Sequence, residues 1–194
     1  MTTPEGIVYQ FPPLPEIAVP QLQTTKFDVG SAIEAYIANV LHLPSSEQFS
    51  ENCKELNQLR EQLRSKPELQ QDEFILYVNY YTLLTGTIKN IDVSRQGVFN
   101  PAKLAFTWQS VTQPDVDFDL VCFGYNIIVG VLKNVARIPI SNSKDAHTVV
   151  DLLKGCKAIY EKIIERYSDS FCNVLELSKI TVLKSYIDFY FQYA

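Results

Sequence analysis

Between Asp115 and Ile138 the chain is apolar almost all round, with Val121, Phe123, Ile127, Ile128, Val129, Val131, Leu132 and Val135 distributed over every side of a helix that turns about 100° per residue. A helix of that kind has to be central, covered from several directions by other elements. Gly124 and Gly130 permit a neighbouring backbone to come close, and Pro139 stops the helix. The longest apolar run, Val121–Leu132, falls short of the roughly 18–20 residues that a bilayer requires. The segment therefore predicts a buried helix in a soluble fold, not a membrane span.

The covering elements are legible as amphipathic stripes. Asp28 caps a first helix carrying Ile33, Tyr36, Ile37, Val40 and Leu41 at three- and four-residue intervals, ended by Pro44. Ser45 and Gln48 have capping-box spacing for a second helix with the stripe Phe49, Cys53, Leu56, Leu59 and Leu63, and Pro67 lies just beyond it. A third helix is predicted from Leu69 to Ile91, bearing Phe74, Tyr77, Val78, Tyr81, Leu84 and Ile88. After the breaker Asn100–Pro101, the alternation of Leu104–Trp108 predicts a lone strand, a small β element near residues 103–109. Ser143 opens a long fifth helix with Val149, Leu152, Leu153, Cys156, Ile159, Tyr160, Ile163, Ile164 and Tyr167 on one face and charge on the other. The fold class is all-α: an elongated antiparallel helical array. Residues 1–26 form an extended Pro-rich arm, and residues 27–194 the helical domain.

That arm holds half of the ten prolines within the first 20 residues. It is predicted to run extended along the domain and to bury Phe11, Leu14, Ile17 and Val19. The alternative is that Pro12 and Pro15 present a P-x-x-P motif to an adaptor. Glu5 and the scattered prolines are unlike the basic, apolar start of a signal peptide. A cytoplasmic protein is expected, and four cysteines without a Cys-x-x-Cys pair agree with that.

The last helix, from Val174 to Ala194, is the unusual one. Tyr186, Ile187, Phe189, Tyr190, Phe191 and Tyr193 cover an arc of roughly 200°, wider than one buried face needs. Chain ends usually read polar. Either these aromatics pack into the core, or a face is left for a partner or for further sequence.

Little in the sequence points to chemistry. The net charge of −5 and a pI of about 5.1 argue against a nucleic-acid groove. Asp115, Asp117 and Asp119 start like a calcium loop, but Leu120 and Asn126 stand where Gly and Glu are needed; they are read as the cap and first-turn acids of the central helix. His42 is expected at the end of the first helix and His147 in solvent, with no nucleophile set around either. Trp108 is expected to anchor the core. No catalytic residue, metal site or cofactor is predicted, and the chain is read as a non-enzyme, with an enzyme whose site is scattered over the helices as the remote alternative.

The order of three motifs adds a resemblance. Asn79-Tyr80-Tyr81-Thr82-Leu83-Leu84, then Leu104-Ala105-Phe106-Thr107-Trp108, then Phe123-Gly124-Tyr125-Asn126 resembles the BRO domain, the ESCRT-associated domain of the Alix and Brox type, over roughly Phe27 to the end. The short Brox-like members are the most similar. The resemblance implies a curved helical scaffold without catalysis that binds the C-terminal amphipathic helix of an ESCRT-III filament subunit, at most peripherally associated with endosomal membrane. Domains of this family are longer, and the helix that follows the one matching Val174–Ala194, which supplies half of the family's patch, is missing here. Tyr190 falls on a patch position, with core packing as its alternative; Tyr186 and Ile187 are its neighbours by helical geometry. The prenylation signal of the Brox type is absent from Phe191-Gln192-Tyr193-Ala194. A homodimer paired through the aromatic helix is the rival expectation.

Overall fold

The computed structural model describes residues 14–15, 17–65, 73–94 and 104–193. Phe11, Pro12, Pro67, Leu69 and Asn100–Pro101 lie outside the described residues. The described elements are α1 (Val29–Asn39), α2 (Glu47–Ser65), α3 (Glu73–Ser94), β1 (Phe106–Trp108), β2 (Val111–Gln113), α4 (Val116–Arg137), α5 (Ser143–Arg166), a 3₁₀ turn (Asp169–Phe171) and α6 (Leu177–Phe191). The fold is mainly helical, with one small hairpin. Consecutive helices pack against each other, and α4 additionally meets α6 and β1, which makes it the hub that its composition demands.

The caps explain the boundaries. Asp28 accepts from the Ser31 N–H at the start of α1, and Asp115 accepts from the Asp117 N–H at the start of α4. The cap of α2 is Ser46, one residue later than the box spacing suggested: its hydroxyl accepts from the Phe49 N–H. His42 follows the C-cap of α1 by two residues, in the reversal that closes the helix and outside its last turn. Its backbone is left-handed at φ 53°, just past α1, where the chain reverses and the Leu43 N–H donates to the Ile37 carbonyl.

Three side chains assigned to apolar stripes face outward instead, Ile164 on α5 among them (42% exposed). Val40 is exposed beyond the last turn of α1, and Val78 on α3 is 53% exposed beside Ile75 at 61%. α3 is apolar over much of its circumference, so periodicity alone could not orient it.

The strand has a partner. β1 pairs antiparallel with β2 in the register Phe106↔Gln113, Thr107↔Thr112 and Trp108↔Val111. The connecting pair Gln109–Ser110 has φ of 48° and 70°. Such positive values at both central positions define the hairpin turn that normally selects Asn and Gly. With neither present, no turn cue marks the hairpin, and alternation alone does not reveal β2. The arm adds a third segment: Thr24 bridges to Trp108, the Gln109 N–H donates to the Gln23 carbonyl (2.9 Å) and the Thr25 N–H to the Thr107 carbonyl (3.3 Å). Leu14, Ile17 and Leu22 are buried and Val19 half-buried, as expected of an arm laid along the domain.

Candidate partner-binding surface

The most chemically loaded cluster in the described structure sits where the arm, α2, α3, β1 and α4 converge. Arg60 on α2 forks onto Asp119 on α4, Nη2 to Oδ1 at 2.8 Å and Nε to Oδ2 at 3.2 Å, with both side chains almost fully buried. Asp119 also accepts from Trp108 Nε1 (2.8 Å) and Tyr80 Oη (2.8 Å). The guanidinium donates further to the Thr25 carbonyl and the Thr24 hydroxyl, and lies within 6 Å of the Phe27, Phe106 and Phe123 ring centres. Burial works against the charged guanidinium, but the Asp119 carboxylate outweighs it and raises the Arg60 pKa. Burial, reinforced by the same carboxylate, lifts the Tyr80 phenol well above its ordinary range. Asp119 is a first-turn acid of α4, as expected, and also a buried junction that ties α2, α3 and β1 to that helix. Its partners saturate it, which leaves no oxygen facing a substrate.

The Glu and Arg side chains of α2 are expected on the face opposite its apolar stripe, and buried Arg60 departs from that although its spacing shows it. Arg60 is four residues after Leu56 and three before Leu63, which puts it inside the apolar stripe of α2. A charged residue there demands a buried opposite charge. What the sequence could not supply was the partner, 59 residues away.

Three of the four cysteines are buried. Burial pushes the Cys53 thiol up to about 12 and raises Cys122 and Cys156 as well, so these sulfurs stay protonated. Among the described residues no group of three or more His, Cys, Asp or Glu side chains is arranged to hold a metal ion, and no helix is long and apolar enough to cross a membrane. A cleft of about 300 Å³ lies between the arm and the end of α2, bordered by Gln23, Thr24, Leu63, Arg64 and Asn126. Arg64 is engaged there by the Glu61 carboxylate.

The aromatic arc of α6 resolves into three parts. Its middle faces the core: Ile180, Leu183, Ile187 and Tyr190 are at most 1% exposed, and Tyr190 Oη donates to the Pro15 carbonyl. Ile187 and Tyr190 therefore hold the fold together and present no surface. Phe191 forms one half-buried shoulder. The other shoulder is a stripe: Val182 (44% exposed), Tyr186 and Phe189 (half-buried) and Tyr193 (40%) recur at four, three and four residues. The Phe189 and Tyr193 ring centres are 4.7 Å apart, and the Tyr186 ring leans on Tyr190 at 6.1 Å. Of the three residues expected to bind a partner, only Tyr186 reaches this surface; Val182, Phe189 and Tyr193 join it. A 200° arc is thus shared, its centre used by the core and one edge left accessible.

No family model matches the chain, and neither a curated protein nor a solved structure matches it.

Proposed function

We propose that this chain is a non-catalytic interaction scaffold of the BRO type, whose α6 shoulder receives an amphipathic helix from the tail of an ESCRT-III filament subunit at endosomal membranes. The observation that carries the reading is the Val182–Tyr186–Phe189–Tyr193 stripe, accessible apolar side chains at helical spacing on a helix whose other face is anchored in the core. A partner helix with anchors at i, i+3 and i+4 covers such a stripe by helix-in-groove recognition. The order of the Tyr80–Tyr81, Phe106–Trp108 and Phe123–Asn126 motifs supports the BRO reading, and the saturated Arg60–Asp119 junction favours a scaffold over an enzyme.

Titration with an ESCRT-III C-terminal helix peptide tests the proposal. Binding is expected to weaken about 5- to 30-fold in Tyr186→Ala or Phe189→Ala, the effect of losing one central anchor. Tyr190→Ala should instead lower the stability of the whole domain. Absence of any response from the wild-type protein at millimolar peptide removes the ESCRT-III reading.

A second reading is self-association through the same stripe. Its outer flank carries the uncharged, exposed Ser178, Ser185 and Gln192, so two copies can meet there without like-charge repulsion. Light scattering separates the two readings: a concentration-dependent doubling of mass that Tyr186→Asp abolishes supports the dimer, and a strict monomer excludes it.

A further inference from the structure

The arm is held in two different ways, and the change falls at Gln23. From there onward its main chain is bonded to the main chain of the hairpin, through the Gln23 carbonyl and the Thr25 N–H. Ahead of it, the bonds found among the described residues all come from side chains. Tyr190 Oη donates to the Pro15 carbonyl and Tyr125 Oη to the Pro20 carbonyl (3.4 Å). The amide of Asn126 meets Leu22 on both sides, accepting from its N–H at 2.7 Å and donating to its carbonyl at 2.7 Å. Apolar anchoring of this part comes from Leu14, Ile17 and Leu22 with half-buried Val19, while Ala18 and Pro20 face solvent. Local openings occur where main-chain bonding is sparse and buried apolar contacts are few, below the cost of unfolding the helices.

We infer that Leu14, Pro15 and residues 17–22 form a detachable strap, hinged at Gln23, whose release uncovers Tyr190 on the core side of the α6 arc. Each of these hydrogen bonds closes onto α4 or α6: Asn126 and Tyr125 belong to α4, Tyr190 to α6. Release extends the accessible edge of α6 from Tyr186 and Phe189 onto Tyr190, with which both rings are already in contact. Pro15 and Pro20 restrict the released segment to extended conformations, so it remains close to the shape it must regain and recloses readily. The device stands on the geometry of the strap alone; the function proposed above concerns only what would use the uncovered surface.

Native-state hydrogen exchange on the full chain tests it. After correction for intrinsic rates, the Leu22 amide is expected to exchange at least about 100-fold faster than that of Leu153 in α5, because it reports strap release and not global unfolding. Asn126→Ala should accelerate Leu22 by about another tenfold and leave the ratio among core amides unchanged. The second probe is Ile17→Cys, in a Cys172→Ser background. Its thiol should react far faster than buried Cys156, and its rate should rise by the same factor when Asn126→Ala is added. Should Asn126→Ala fail to fold, Tyr190→Phe removes the bond to Pro15 while keeping the ring, and is expected to raise the Ile17→Cys rate. Exchange of Leu22 at the Leu153 rate overturns the strap. So does acceleration of Leu22 without any gain in Ile17→Cys labelling, since that would mean local fraying at Leu22 and no release of the segment. Neither readout uses a partner, so a failed peptide titration leaves this inference standing.

Discussion

Removing either member of the Arg60–Asp119 pair strands the other in the core. Asp119→Ala leaves a guanidinium that is 2% exposed without its carboxylate, and leaves Trp108 Nε1 and Tyr80 Oη without their acceptor. Breaking a buried pair from one side costs about 3–5 kcal/mol, whereas replacing both partners with apolar groups is often far milder. Urea unfolding is therefore expected to show a large fall in midpoint for Asp119→Ala, and a smaller one for the double variant Arg60→Met with Asp119→Leu. Equal losses for the two would mean that the junction's worth lies in the pair itself and not in the avoidance of an orphaned charge. The tyrosines around the same core set a limit at alkaline pH. Burial raises Tyr80 and Tyr77, and pushes Tyr125 up to about 12. In the unfolded chain these phenols ionise near their ordinary value of about 10, so the unfolded state holds fewer protons above that pH. The stability is fully present below pH 10 and falls as pH rises beyond it, by at most about 1.4 kcal/mol per pH unit for each fully protected phenol. Denaturant midpoints measured from pH 8 to 11 should be flat and then drop. A flat profile throughout would place these rings in contact with water.

The hairpin is the element most at odds with its own sequence. Gln109 and Ser110 occupy left-handed conformations that favour Asn and Gly, and the β1–β2 register depends on that turn. Gln109→Asn with Ser110→Gly relieves the strain at both positions and should stabilise the fold by about 1 kcal/mol, read as a higher urea midpoint with an unchanged slope. The same mismatch explains which elements were legible. α4 and α5 declared themselves, one by being apolar all round and the other by a clean stripe, because their burial follows from local periodicity. The caps at Asp28 and Asp115 were equally local. β2, the orientation of α3 and the buried role of Asp119 were hidden, since each depends on a contact distant in sequence: the strained turn and the arm for β2, the packing of α2 and α4 for α3, and Arg60 for Asp119. On α6 the width of the aromatic arc announced an excess of apolar surface. On the core side of that arc Tyr190 bonds to Pro15 of the arm, a contact distant in sequence that periodicity does not reveal.

At the scale of the whole molecule, the four cysteines sample nearly every part of the fold. Cys53 lies on α2 against α1, where its carbonyl sits 2.0 Å from the place a Cβ on Gly30 would occupy; Cys122 lies on α4, Cys156 on α5 and Cys172 at the turn before α6. The first three are buried with raised thiol pKa values, and Cys172 is exposed. A thiol reagent at pH 8 is thus expected to titrate one group rapidly in the native protein and all four after denaturation. The sharper prediction concerns the remaining three. α1 and α2 touch the rest of the molecule chiefly through α3 and the Arg60 junction, while α4, α5 and α6 share contacts among themselves. If the buried junction welds the two groups into one cooperative unit, Cys53, Cys122 and Cys156 will become reactive at the same urea concentration. Asp119→Ala should then separate them, with Cys53 exposed at lower urea than Cys156, because the α1–α2 pair loses its only charged tether to α4 among the described residues. Simultaneous exposure in that variant would show that apolar packing across α3 suffices to couple the halves, and that the junction orients the helices without binding them into a unit.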